Sequence, residues 1–223
     1  MNPKDIFDLS LSKREIALMG LNTFSTVVIR TSSLISIFDP IEITADQCSA
    51  DVIVITHEHY DHFDAKLVAE LQKHTGAIIL TTPFIANKLR KSPINKIKTL
   101  KIGDSFVIKE VEFYAMFSDH FANQPLSFMI TVENSIRIYH PDDSRAFPAM
   151  EKLGEKYKPD ILLYLGASLK KGTNIAKLIR PKIIIRFDLD TTVSKRFSEI
   201  INKEIPEINV VTMRPLELYI FHR

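Results

Sequence analysis

Short apolar segments along the chain predict two strand-rich regions, each followed by alternating helices and strands. Apolar and β-branched residues between turn residues predict strands over residues 15–19, 25–30 and 33–38. The segment 51–55 reads Asp-Val-Ile-Val-Ile and is typical of a short strand that is buried on both faces.

Further elements complete this pattern. Asp64 and Gly76 mark the start and end of a predicted helix, and residues 97–138 predict a run of antiparallel strands. The other predicted elements are strands at 77–80, 161–165 and 183–185, two strands within 209–221, and helices beginning at Pro83, over 151–157 and including 176–179. Two halves of this kind predict two packed sheets with helices on their outer faces.

The composition predicts a single domain over residues 1–223. With 45% hydrophobic positions, 223 residues bury one sizeable core and are too few for two ordinary enzyme domains. The single cysteine, Cys48, excludes a disulfide framework and any cysteine-based zinc finger.

Charge and hydropathy narrow the choice of partners. The 29 basic and 27 acidic residues leave a net charge of +2, which gives no global attraction to nucleic acid or to an acidic membrane. No apolar run approaches the roughly 20 residues of a membrane span. Asp5 and Asp8 stand where a signal peptide has an apolar stretch. The sequence therefore predicts a soluble, cytoplasmic protein with no membrane partner, and leaves its oligomeric state open.

A cluster of metal-capable side chains follows the apolar strand at 51–55. Its members are His57, His59, Asp61 and His62. In extended backbone, residues two apart point to the same side, so the first three converge beyond the strand, and the following turn brings His62 round beside Asp61. Histidine nitrogen and aspartate oxygen suit zinc, and also iron or manganese. The spacing predicts a site for two adjacent divalent metal ions, with zinc favoured.

This segment resembles the signature of the metallo-β-lactamase superfamily. Ile-Phe-Asp-Pro at residues 37–40 resembles the family's strand that ends in Asp-Pro, and residues 49–55 resemble its lead-in to the histidine motif. The resemblance implies an α/β fold, a four-layer αββα sandwich with the metal site along one edge. The short chain and these motifs are most similar to the ascorbate-6-phosphate-lactonase-like branch of metal-dependent hydrolases.

The resemblance also implies the remaining metal ligands. The family's third histidine matches His120, and its bridging carboxylate matches Asp143, with Asp142 as a one-residue alternative. The last ligand position follows the final buried strand and holds Asp188. In this scheme the ligands are His57, His59 and His120 for the first ion, Asp61, His62 and Asp188 for the second, and Asp143 as the bridge.

The activity that the resemblance implies is metal-dependent hydrolysis of a small-molecule substrate. A hydroxide activated by two metal ions would attack a small ester, lactone or phosphoester. Asp61 is the predicted catalytic residue, because its carboxylate can orient the hydroxide or help to protonate the leaving group. Arg145 and Arg186 each lie two residues from an expected ligand and are predicted to bind an anionic substrate.

Asp188 departs from the family pattern, which has a histidine there. An added anion lowers the net charge of a two-metal centre, which favours manganese or iron over zinc or leaves the second site weak. A non-catalytic or single-metal member of the fold that acts in binding or sensing is therefore one alternative. A nuclease or phosphodiesterase is a less favoured alternative, because the chain has a net charge of only +2 and no added basic arm.

Overall fold

The first of two seven-stranded sheets is antiparallel on one side and parallel on the other. The computed structural model describes residues 3–133, 135–188 and 190–223. The strands of this sheet are β1 (Glu15–Gly20), β2 (Val27–Arg30), β3 (Ile35–Phe38), β4 (Val52–Val54), β5 (Ile78–Thr81), β6 (Ile97–Thr99) and β14 (Tyr219–His222). Their order is β14-β1-β2-β3-β4-β5-β6, with antiparallel pairing from β14 to β3 and parallel pairing from β3 to β6.

The second sheet has the same mixed character. Its strands are β7 (Ser105–Ile108), β8 (Val111–Phe117), β9 (Leu126–Val132), β10 (Ile136–His140), β11 (Ile161–Leu163), β12 (Ile183–Phe187) and β13 (Asn209–Met213). They run in the order β13-β12-β11-β10-β9-β8-β7, antiparallel from β7 to β10 and parallel from β10 to β13.

Helices cover the outer face of each sheet. They are α1 (Ala65–Thr75), α2 (Pro83–Leu89), α3 (Ala149–Tyr157), α4 (Leu169–Ile179) and α5 (Thr191–Glu204). Apolar residues of α1 and α2 pack on the first sheet, and those of α3, α4 and α5 pack on the second. Among the described residues, none of these helices combines the length and apolar character that crossing a membrane requires.

Alternating side chains divide each strand between two cores. In β1, Ile16 and Leu18 belong to the core between the sheets, whereas Ala17 and Met19 belong to the core beneath α1 and α2. This division follows from the two-residue period of a strand, and it makes both faces of each sheet apolar. The layers are therefore helix, sheet, sheet and helix, and the predicted αββα sandwich is confirmed.

Two elements differ from the sequence-based prediction. β6 pairs in parallel with β5 in the first sheet, so the run of antiparallel strands begins only at β7. Helix α5 was not predicted, although Asp190 caps it by accepting hydrogen bonds from the amides of Thr192 and Val193. Its buried residues Phe197 and Ile201 are four apart, the ordinary spacing of an apolar helix face.

Candidate metal centre

Three histidines converge at the ends of β4 and β8. His57 and His59 follow β4, and His120 comes three residues after β8 ends. Each offers one ring nitrogen, and these atoms all lie within 4.8 Å of one another. Nε2 of His120 is 3.1 Å from Nδ1 of His59, so these two nitrogens face a common point. The three histidines that the family resemblance implied for one ion therefore lie together.

Carboxylates and His62 form an adjoining group. One ligand atom from each of His57, His62 and Asp143 also lies within 4.8 Å of the others. Oδ2 of Asp143 is 3.7 Å from Nε2 of His62 and 4.0 Å from Nε2 of His120, which places this carboxylate between the two groups. Oδ2 of Asp61 is 4.0 Å from Nε2 of His62, on the same side.

The orientation of His57 is fixed from behind by a carboxylate. Its Nδ1 is 3.0 Å from Oδ1 of Asp142, and both side chains are fully buried. A carboxylate only accepts, so Nδ1 carries the hydrogen and Nε2 presents its lone pair. Nε2 is buried and has no hydrogen-bond partner among the described residues. A buried ring nitrogen left without a partner, facing two other imidazoles, fits a metal ion.

His62 is oriented in the same way by Asp39. Its Nδ1 lies 2.9 Å from Oδ2 of Asp39, which leaves Nε2 directed toward Asp61 and Asp143. Burial opposes protonation of His62, but the hydrogen bond to Asp39 and the charges of Asp39, Asp142 and Asp143 outweigh it and raise the pKa to about 9. Without a metal, this imidazole is therefore protonated at neutral pH.

Asp142 occupies a tight turn that also positions Asp143. Its backbone has φ 57°, in the left-handed region, and its amide donates to Nδ1 of His140 at 3.1 Å. Its carboxylate accepts from the hydroxyls of Thr56 at 2.9 Å and Ser118 at 3.3 Å. Burial alone would raise the pKa of Asp142, but the hydrogen bond from His57 and the charges of the nearby imidazoles lower it to about 2. Asp142 thus orients His57 as an ionised carboxylate.

Two hydrogen bonds and a lysine hold the surrounding loops. Glu58, inside the histidine motif, accepts from the amide of Asn123 at 2.9 Å, which ties that motif to the loop that carries His120. The amide of Leu126 donates to the carbonyl of Thr56 at 3.2 Å. The ammonium of Lys171 donates to the backbone carbonyl of Asp143. The first two contacts join the strand ends of the two sheets, and the third holds the turn that carries Asp143.

Asp188 lies apart from the metal-capable groups that the described residues form. Its Oδ2 accepts from Nη2 and Nε of Arg186 at 2.8 and 3.1 Å, and its Oδ1 accepts from the amide of Asp190 at 3.0 Å. Both carboxylate oxygens are therefore engaged within its own loop. The structure places Asp188 in an ion pair rather than in the histidine groups.

The two arginines predicted to bind substrate have different environments. Arg186 is 2% exposed, and its guanidinium lies 5.7 Å from the ring centre of Tyr164 and 5.3 Å from that of Phe197. With Asp188 and the carbonyl of Gly166 as partners, it is a packed internal cation. Arg145 is exposed, and its Nη2 donates to Asp119 at 2.9 Å. Only Arg145 of this pair presents a guanidinium at the surface.

Comparison with known proteins shows the family to which this chain belongs. A family model described as a beta-lactamase superfamily domain matches residues 25–174. A UPF0173 metal-dependent hydrolase of Methanosphaera stadtmanae is 31% identical over 189 residues, which cover 74% of this chain and 80% of the relative. The chain belongs to the metallo-β-lactamase superfamily. Among its UPF0173 relatives, a metal-dependent hydrolase of Methanobrevibacter smithii is 28% identical over 92% of this chain and 96% of the relative.

A solved structure shares this fold. A metallo hydrolase from the archaeon Ignicoccus hospitalis superposes with a TM-score of 0.79 at 19% identity, covering 94% of this chain and 99% of that one. The predicted superfamily is confirmed, whereas the narrower resemblance to the ascorbate-6-phosphate-lactonase-like branch stays a prediction.

The motif and the resemblance do not predict the orienting roles of Asp39 and Asp142. Asp39 stands in the segment that resembles the family's Asp-Pro element, and its two oxygens lie 2.7 Å from the amide and the hydroxyl of Thr56, while its Oδ2 also lies 2.9 Å from Nδ1 of His62. Asp142 enters the prediction only as the alternative to Asp143. The sequence carries a signal for Asp39, which directly follows the apolar strand β3, whereas Asp142 comes two residues after β10 of the other sheet.

Proposed function

We propose that this member of a metal-dependent hydrolase family uses two divalent metal ions to hydrolyse a small ester, lactone or phosphoester. The observation that carries the proposal is the partnerless, buried Nε2 of His57, which faces both groups of metal-capable side chains. Asp143 lies between those groups, in the position from which one carboxylate can contact two ions.

The donor sets differ between the two proposed positions. His57, His59 and His120 offer three neutral imidazoles to the first ion, a set that suits zinc with an open position for water or substrate. Asp61, His62 and Asp143 offer two carboxylates and one imidazole to the second ion. Such an oxygen-rich set suits zinc, manganese or iron, so we propose zinc first and the harder metals as alternatives.

Bound ions would supply a water of lowered pKa and a positive centre that polarises the scissile bond. The side chains of Asp61 and Asp143 are 35% and 32% exposed, while that of His62 near both is 7% exposed. Asp143 lies between the two groups, so we propose that Asp61 is the exposed carboxylate whose free oxygen accepts the proton of the attacking water and returns it to the leaving group. Asp39 and Asp142 keep the imidazoles of His62 and His57 in their orientations during this transfer.

We propose that an exposed cation beside this centre binds the substrate. Arg145 lies two residues after Asp143 and keeps most of its guanidinium exposed, so we propose it as the side chain that meets an anionic substrate group. The contacts of Arg186 support an internal role instead, because its guanidinium is covered by two aromatic rings and by Asp188.

A single-metal centre is the second candidate function. The observation that favours it is the engagement of both Asp188 oxygens by Arg186 and Asp190, which leaves the second position with three described side chains near it. A protein of this kind would hold one ion on the three histidines and would act in binding or sensing.

A hydrolysis screen tests the proposal. The metal-loaded protein would be assayed on p-nitrophenyl esters, simple lactones and bis-p-nitrophenyl phosphate, beside a His59→Ala variant. His74→Ala is the matched control, because His74 is an exposed histidine on α1. We expect turnover that His59→Ala lowers at least about 100-fold and His74→Ala leaves unchanged. Turnover equal in parent and His59→Ala would show that the centre does not carry the activity.

A further inference from the structure

An apolar cavity of about 450 Å³ is lined in part by residues of the loop that carries His120. Its wall is mainly aliphatic and aromatic, and the lining residues are Pro83, Leu100, Lys101, Ile102, Phe117, Ser118, Gln124, Pro125 and Leu126. Ile102 is 59% exposed and Phe117 47%, so two large apolar side chains of this lining face solvent together. The size and lining fit an apolar chain or ring of a small molecule.

The cavity and the metal centre draw residues from one loop. The segment 118–126 contributes His120 to the three-histidine group, and Ser118, Gln124, Pro125 and Leu126 to the cavity. The hydroxyl of Ser118 bonds Asp142, the carboxylate behind His57. The amide of Leu126 bonds the carbonyl of Thr56, the residue before His57. A molecule seated in the cavity therefore lies next to the loops that hold the proposed ions.

The charges around this cavity favour an uncharged occupant. Of the described residues that line it, only Lys101 carries a charge, and its side chain lies at the exposed edge. An apolar group gains from burial in this cavity, whereas the lining offers an anion only the exposed ammonium of Lys101.

We propose that this cavity binds the apolar acyl or aromatic group of the substrate, so that the preferred substrate is an ester or lactone with an uncharged, hydrophobic substituent. The proposal rests on the function proposed above and narrows its substrate class. The reacting carbonyl would stay at the metal centre while the apolar group lies against Ile102 and Phe117.

A chain-length series tests the substrate preference. The metal-loaded protein would be assayed on p-nitrophenyl acetate, butyrate and octanoate. Each buried methylene contributes up to about a fourfold gain in kcat/KM, so we expect octanoate to exceed acetate by at least about tenfold. Equal kcat/KM values for the three esters would overturn the proposal even though hydrolysis itself is observed.

A pair of surface variants localises the effect. Ile102→Asp places a charge in the cavity wall, and Val107→Asp is its matched control, because Val107 is 63% exposed on β7 and does not line the cavity. We expect Ile102→Asp to lower kcat/KM for octanoate about tenfold and to change that for acetate less than about twofold. Equal effects of the two variants on octanoate would overturn the assignment of the cavity.

Binding of a neutral fluorescent probe separates this proposal from the proposed activity. N-phenyl-1-naphthylamine would be titrated into the parent and both variants, with and without metal. We expect binding to the parent and to Val107→Asp, and at least about tenfold weaker binding to Ile102→Asp. Such binding without hydrolysis of any ester would overturn the proposed function and keep the cavity as an apolar site. Equal binding to all three proteins, or none, would overturn the cavity itself.

Discussion

Nδ1 of His57 and Oδ1 of Asp142 lie 3.0 Å apart, and both side chains are fully buried. This pair joins the end of β4 in the first sheet to the turn after β10 in the second. It fixes the tautomer of His57 and points Nε2 at the other histidines. The metal centre is thus held by a contact between the two sheets, one layer behind the ligands.

Removing the charge of Asp142 tests this support. We expect Asp142→Asn to weaken zinc binding about 10- to 100-fold, because a neutral amide stabilises the required orientation and basicity of His57 less than a carboxylate does. The affinity would be measured by competition with a chromophoric chelator. Asp46→Asn, at an exposed carboxylate, is the control. Zinc affinity that is the same in both variants would contradict a supporting role for Asp142.

Breaking the pair of Arg186 and Asp188 tests its structural role. Arg186→Met leaves a mostly buried carboxylate without its cation, which we expect to lower the free energy of unfolding by about 3 kcal/mol. Arg145→Met removes an exposed ion pair and should cost less than about 1 kcal/mol. Both values would come from denaturant unfolding of metal-free protein. Similar losses in the two variants would argue against a buried structural pair.

The proposed role of Asp61 predicts a specific kinetic defect. Asp61→Asn keeps the size of the side chain and removes the proton acceptor, so we expect kcat to fall by about 10²- to 10⁴-fold. The ion on the three histidines should remain, and elemental analysis of the same sample would show it. A variant that retains full kcat would exclude Asp61 from proton transfer.

Cys48 should be unreactive in the native protein. Burial raises the pKa of its thiol to about 11, and the charge of Asp46 adds to this shift. Since the thiolate is the reactive form, only roughly 0.1% would be available at pH 8. We expect Ellman's reagent to label native protein at least about 100-fold more slowly than protein unfolded in guanidinium. Complete labelling of native protein within minutes would contradict this prediction.

Part of the centre was predictable from a local rule. His57 and His59 alternate directly after an apolar strand, and that spacing brings their ring nitrogens together, whereas the chain turns after His59 and leaves Asp61 beside His62. The supporting contacts are harder to predict, since Asp39 reaches His62 across 23 positions of sequence and Asp142 reaches His57 across 85. Asp142 also needs a left-handed backbone, which sequence pattern does not reveal for an aspartate.

The pairing of Asp188 follows a local rule. Arg186 and Asp188 are two residues apart at the end of an extended strand, so their side chains point to the same side and meet. Family position suggested a ligand there, whereas this spacing indicates an ion pair. Helix α5 also has a local signal, because Asp190 directly precedes it and caps its first amides.

The metal content of the purified chain tests the proposed two-ion centre most directly. Protein prepared without chelator would be analysed for its elements, beside the His59→Ala and Asp188→His variants. The proposed two-ion centre predicts close to two equivalents in the parent and a loss in His59→Ala. One equivalent or less in the parent, rising toward two in Asp188→His, would contradict the two-ion centre and favour the single-metal alternative.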